Sequence, residues 1–262
     1  MHRELNELEY LSLAIGQPFN VAVVLRINGK ISKNLVEKLM TKLQKRHPLL
    51  QVRLIFDDNN RPYSTSKNVG KIPVTEYKRV DDSQAMKEFH RQLTTPFDLS
   101  NNKLLLIRVV LYSSTEKSDL VVCSYHTISD GYSMLFLTKD LLKFMANPDM
   151  SIEVIDFPTK DVDLFTPKVR KMIPKRPFFA HLLHIALRLY NFFRYLFVGK
   201  IKTAKINVHK DDLEIHSTKL SKEQSAKFLE KCKTENISVH SAVSTVFIHE
   251  HPIIASPVNI RK

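Results

Sequence analysis

The chain predicts a mixed α/β protein, with strands and helices in α+β layers rather than in strict βαβ alternation. Three observations carry that prediction. Apolar runs rich in β-branched residues alternate with segments whose leucines recur every three to four positions. Clusters of turn-forming residues separate them. The 262 residues are 43% hydrophobic and 26% charged, the balance of a globular chain with a sizeable core.

Residues 20–28 (NVAVVLRIN) read as a largely buried strand that turns at Asn28-Gly29. Ser32 can cap a helix running to about Arg46, with Leu35, Leu39 and Leu43 on one face. His47-Pro48 stops it, residues 49–56 read as a strand, and DDNNRP as a turn-forming loop. A second helix is expected over 83–93, ending before Pro96. Residues 104–112 and 119–125 form the strongest strand pair, joined by the polar loop SSTEKS and followed by an apolar-faced helix over 132–145.

After Asn147-Pro148 the texture changes, with five prolines between 148 and 177. Beyond them a helix is expected over 178–198, a strand over 211–220, helices starting after Ser221 and Ser238, and a last strand over 253–260. This divides the chain into an N-terminal subdomain (1–147), a basic crossover with an amphipathic helix (148–210) and the beginning of a C-terminal subdomain (211–262).

Composition removes several function classes. Five glycines exclude a collagen-like or Gly-rich chain, and Cys123 and Cys232 alone cannot build a disulfide scaffold or a cysteine zinc site. The start, MHRELNELEY, lacks the apolar core of a secretion signal, so a reducing, cytoplasmic setting is expected. The net charge of +13 is local: residues 166–210 hold 11 Lys or Arg and no Asp or Glu, leaving 29 basic against 27 acidic residues elsewhere. Without stacking or base-reading modules, a nucleic-acid partner is not expected. His181 and His184 have no carboxylate or cysteine beside them, and His249 and His251 flank a single Glu250 near a proline turn, so no metal is expected.

The segment Tyr125-His126-Thr127-Ile128-Ser129-Asp130-Gly131 joins a strong strand to a helix. A neutral imidazole at a strand end can take a proton from a hydroxyl or amine near neutral pH. Asp130 could fold back to orient that ring or pair with an arginine, and Gly131 could adopt a backbone conformation hindered by a side chain. The same spacing also fits a strand-end histidine followed by an aspartate that merely caps the helix.

YHTISDGYS resembles the HxxxDG signature of the acyltransferase superfamily that includes chloramphenicol acetyltransferase, peptide-synthetase condensation domains, wax-ester synthases and alcohol O-acetyltransferases. LNELEYL, KRHPLLQVRL, TPFDLSNNKLLLIRVVL and SPVNIRK resemble further family segments, in the family's order. The resemblance implies a chloramphenicol acetyltransferase-like half with the start of a second, similar half, cut short before the family's DFG-like motif. It implies transfer of an acyl group from an acyl-CoA or acyl-carrier thioester to a small alcohol or amine acceptor, without a tightly bound cofactor. His126 takes the place of the general base, Asp130 of a structural aspartate, and Gly131 of the signature glycine. Condensation domains carry a histidine pair, whereas Tyr125 occupies the first position here. The alternative is a catalytically silent truncated homologue, or a membrane-surface module retaining the fold.

PFFAHLLHIALRLYNFFRYLFV (residues 177–198) carries His181, His184, Arg188, Asn191 and Tyr195 on one helical stripe and is apolar over most of its remaining circumference. Lys168, Arg170, Lys171, Lys175 and Arg176 precede it, and Lys200, Lys202 and Lys205 follow. Two internal arginines, each costing about 3 kcal/mol at a bilayer centre, disfavour a transmembrane span. Three readings stay open: a helix lying on anionic lipid through residues 168–205, a helix packed between the two halves, and a docking surface for an acidic carrier protein or CoA phosphates.

Overall fold

The computed structural model describes residues 2–59, 61–99, 105–156 and 219–248, with positions 167, 171, 185, 186 and 189. Its contacts divide the chain into two units, Met1–Leu213 (with Lys262) and Glu214–Arg261.

The described elements of the first unit are β1 (His2–Glu4), α1 (Glu7–Ala14), β2 (Asn20–Asn28), α2 (Lys33–Arg46), a 3-10 turn (Pro48–Gln51), β3 (Arg53–Phe56), β4 (Pro62–Thr65), β5 (Val74–Lys78), α3 (Gln84–Thr94), β6 (Ile107–Ser113), β7 (Lys117–Tyr125) and α4 (Gly131–Ala146). The main sheet runs β2-β7-β6-β5, with β5 parallel to β6 and the other pairs antiparallel. A small antiparallel sheet runs β1-β4-β3.

β7 is buried from Ser118 to Tyr125 because both its faces are covered. Cys123 Sγ donates to Gln92 O of α3 at 3.6 Å, and the next residue, Ser124, meets Met134 Sδ of α4 at 3.4 Å on the opposite face. α2 turns Val36, Leu39, Met40 and Leu43 inward, and α4 turns Met134, Leu137, Leu141 and Phe144 inward. These are one-sided helical stripes that pack together over the sheet. Arg46 Nε (2.7 Å) and His47 Nε2 (3.0 Å) both reach Asp140 Oδ2, tying the end of α2 to α4. Burial pushes the His47 pKa below its ordinary value despite the neighbouring carboxylate.

The segment TPFD closes α3. Pro96 prevents continuation, and the last carbonyls find donors elsewhere. Asn20 Nδ2 donates to Gln92 O and Thr95 O, each at 2.8 Å, and Arg108 Nη2 donates to Thr95 O at 2.8 Å. Arg108 also stacks 4.0 Å above the Phe97 ring. Pro96 and Phe97 of this segment and Arg108 of β6 therefore form one clamp between α3 and the sheet.

One expectation changes. Residues 49–56 are not one strand: Pro48, with its preset φ, opens a 3-10 turn, and the strand begins at Arg53. Ser83 makes no side-chain cap. Asp81 Oδ1 instead accepts from Ser83 N (2.7 Å) and Gln84 N (3.2 Å). The other caps hold, with Ser32 Oγ accepting from Leu35 N at 3.2 Å. DDNNRP turns around Asp57, whose Oδ1 accepts from Asn59 N (3.0 Å) and Arg61 N (2.7 Å).

The second unit contains α5 (Lys222–Thr234) and α6 (Val239–Ile248). Ser221 and Gln224 form a reciprocal capping box on α5, and Ser238 Oγ accepts from Ser241 N at 2.9 Å ahead of the second helix. The strands expected over 211–220 and 253–260 lie outside the described residues, apart from Lys219 and Leu220, which have no regular structure. The helix expected over 178–198 also lies outside them, apart from Ile185, Ala186 and Leu189, which are helical. Among the described residues no helix is long and apolar enough to cross a membrane.

Candidate active site

His126 directly follows the last residue of β7, in the turn before α4. Backbone hydrogen bonds fix that turn on three sides. His126 N donates to Phe19 O (3.0 Å), Tyr125 N to Leu106 O (2.9 Å), and Ile128 N to Tyr125 O (3.1 Å). The hydroxyls of Ser124 and Ser129 bond to each other across the turn. The imidazole is half-buried and lies face-on against Phe19, with ring centroids 4.4 Å apart and an interplanar angle of 11°. Its position is set by backbone and stacking, while its nitrogens make no hydrogen bond to a described residue.

Tyr125 and Thr127, which flank His126, are buried. Tyr125 packs against Phe97 at 5.9 Å on the α3 side of the sheet. Burial pushes its phenol above the ordinary value, and Thr127 offsets part of that rise without reaching hydrogen-bond geometry. Tyr125 Oη and Thr127 Oγ1 have no hydrogen-bond partner among the described residues. The tyrosine in the first motif position is thus a protonated core residue, not a second base.

Asp130 is the N-cap of α4, with extended backbone (φ −124°, ψ −177°) and Oδ1 accepting from Ser133 N (2.8 Å) and Ser133 Oγ (2.7 Å). The structure brings this carboxylate to Ser133; among the described residues no hydrogen bond joins it to the His126 ring. Gly131 corrects the sequence reading. It is the first residue of α4, its φ is not in the left-handed region, and a Cβ there would meet nothing within 4 Å. The position does not exploit a glycine-only conformation; it leaves the start of the helix uncovered.

Cys123 is a core residue, and burial pushes its thiol up. Among the described residues no cluster of three His, Cys, Asp or Glu could hold a metal. A groove of about 350 Å³ lined by Tyr77, Gln84, Lys87, Glu88, Arg91 and Tyr112 lies toward the opposite end of the β6–β7 pair. Its acid is already engaged. Burial would raise the Glu88 carboxyl, but bonds from Arg91, Gln92 and Tyr112 together hold it below its ordinary value. Burial and that carboxylate push the Tyr112 phenol up to about 12.

Residues 13–150, from α1 to just past α4, match the family model described as Condensation domain. The chain belongs to the condensation-domain family. Curated relatives include a hybrid PKS-NRPS synthetase of Acremonium sp, 26% identical over 53% of this chain, and surfactin synthase subunit 2 of Bacillus subtilis, 27% identical over 56%. The chain spans about 4% of the length of each. Among solved structures, the first condensation domain of the CDA synthetase superposes with a TM-score of 0.51 at 13% identity, covering 62% of this chain and 45% of that one. The condensation domain from monacolin K polyketide synthase gives 0.50 at 15% identity, covering 60% and 37%. These likenesses show that this chain has the condensation fold.

Phe19 was not legible in the sequence. It precedes β2, and only the pairing of Asn20 with Tyr125 places it beside His126. The hydroxyls of Tyr125 and Thr127, without a hydrogen-bond partner among the described residues, left no sequence signal either, since burial and partnering are decided by packing.

Proposed function

We propose that this chain provides the histidine-bearing half of an acyl-transfer site, with His126 as general base. The observation that carries the reading is the half-buried imidazole at a rigid strand–turn–helix junction, within HxxxDG, in a chain of the condensation family. An acceptor hydroxyl or amine gives its proton to an imidazole nitrogen as its oxygen or nitrogen attacks the carbonyl carbon of a thioester. The carbon–sulfur bond then breaks, and the imidazolium returns the proton to the departing thiolate. The products are an ester or amide and a free thiol. The kinship with multidomain synthetases favours a carrier-protein thioester over acyl-CoA as donor. Asp130 and Gly131 act by shaping the start of α4, next to the base.

The test is thiol release from acyl-loaded carrier protein, with acyl-CoA in parallel, in the presence of an alcohol or amine. His126→Ala should lower turnover by about 10²–10⁴-fold, with donor binding little changed. Equal release by parent and variant would remove His126 from the reaction. A second reading, a non-catalytic module that keeps the fold, is favoured by one observation: among the described residues no side chain hydrogen-bonds the His126 ring to orient it. A parent chain that releases no thiol from either donor supports that reading.

A further inference from the structure

The groove between α3 and the β5 edge of the main sheet has no part in the acyl-transfer reading. Gln84, Lys87, Glu88 and Arg91 line it from one face of α3, and Tyr77 of β5 and Tyr112 of β6 complete it. Glu88 is buried and holds the Arg91 guanidinium through Nε (2.9 Å) and Nη2 (2.6 Å). That fixed fork leaves Arg91 Nη1 without a hydrogen-bond partner among the described residues. The Lys87 ammonium, one helical turn away, makes no hydrogen bond or ion pair to a described residue. Gln84 Oε1 accepts from the backbone N–H groups of Val80 (2.5 Å) and Asp81 (3.2 Å), which turns its Nε2 donors away from them. Tyr77 is 48% exposed and stacks on Tyr112 with ring centroids 5.5 Å apart, and the Tyr112 hydroxyl donates to Glu88 Oε2 at 3.2 Å.

We propose that this groove binds a small aromatic anion, a flat ring bearing a carboxylate or a phosphate. The ring lies against Tyr77, and the anion takes bonds from Arg91 Nη1 and Lys87 Nζ. The open nitrogens are all donors and two of the groups are cationic, while the one carboxylate in the lining is already bonded by Arg91, Gln92 and Tyr112. Glu88 also prepares the site, because an arginine already held costs an incoming anion little ordering. Size and surroundings decide for a small molecule over a protein surface. About 350 Å³ is the volume of a small-ligand pocket. Glu76, Lys78, Asp81 and Asp82, which neighbour the lining residues in sequence, are exposed and charged, unlike the apolar core of a protein interface. The inference is independent of the proposed acyl transfer, since Tyr112 pairs with Asp119 near the start of β7 and His126 follows its end.

The test is titration of the isotope-labelled full chain with naphthyl phosphate and with naphthoate, read by amide chemical shifts, against naphthol and inorganic phosphate. One or both anionic ring probes should bind about tenfold more tightly than naphthol and than inorganic phosphate, with the shifts centred on β5 and α3. A preference between the two tells which anion the site is built for. Lys87→Gln should cut that affinity about three- to fivefold, the worth of a partly exposed ion pair, and leave naphthol binding unchanged. Tyr77→Ala should weaken every ring probe and leave inorganic phosphate as it was. Both side chains are exposed, and thermal melting checks that each variant keeps the parent fold. Naphthol binding as tightly as the anions, an affinity indifferent to Lys87→Gln, shifts confined to residues outside β5 and α3, or no binding of any probe would each overturn the inference.

Discussion

The two ends of β7 are fastened in different ways. Near its start, Asp119 is buried and accepts from Arg79 Nε at 2.7 Å, with Arg26 Nε 3.6 Å from its other oxygen. Arg79 also bonds Asp82, so one buried carboxylate joins β7 to the loop before α3. At its end, Tyr125, His126 and Thr127 are held by backbone hydrogen bonds and by ring contacts with Phe97 and Phe19. Two buried hydroxyls there have no partner among the described residues. Side-chain ionic bonding is concentrated where no chemistry is proposed, and side-chain hydrogen-bonding capacity is left open where the base stands.

Substitutions at the two ends should therefore separate rate from stability. The largest effect expected is the loss of turnover in His126→Ala, with stability reduced only by the lost stacking, about 0.5–1.5 kcal/mol. Next comes Asp119→Ala, which should cost about 1.5–3 kcal/mol in urea unfolding, the worth of a hydrogen bond to a charged group, while thiol release persists under native conditions. An Asp119→Ala chain that melts normally but loses turnover would erase the distinction between the ends.

Tyr125→Phe should be neutral or stabilising by up to about 1 kcal/mol, because it removes a buried hydroxyl that has no described partner. A clear loss of stability would reveal a partner for that oxygen. Smallest is Gly131→Ala, expected to stabilise by about 0.5 kcal/mol, since the helical conformation is open to alanine and its Cβ meets nothing. Thermal melting reads this directly. Reduced turnover with unchanged melting would mean that the space above Gly131 is needed by substrate.

The elements legible in sequence share a reason. α2 has a Ser cap and a one-sided leucine stripe, and β7 is an apolar run in the middle of the sheet. The missed ones lack such marks. β5 buries only Val74 of VTEYK, so its alternation is invisible. β4 buries Pro62, Ser64 and Thr65, residues that read as loop. The PLLQ turn is apolar enough to imitate a strand, although only Leu50 is buried in it. At the site, His126 is legible because strand, turn and helix are local. Phe19 is not, because its approach is set by a register between distant segments.

That register also sets an order of assembly. Phe19 and His126 lie about a hundred residues apart along the chain, and β2 pairs with β7 over its full length, from Asn20 with Tyr125 to Asn28 with Lys117. β7 also separates β2 from β6, so among the described strands β2 has no neighbour in the main sheet until about ninety further residues have followed it out of the ribosome. The loop-closure entropy of that long-range pairing opposes early docking. The stack that positions the imidazole therefore forms in the same event that completes the main sheet, when β7 docks on β2, and before that event the histidine has no ring to lie against.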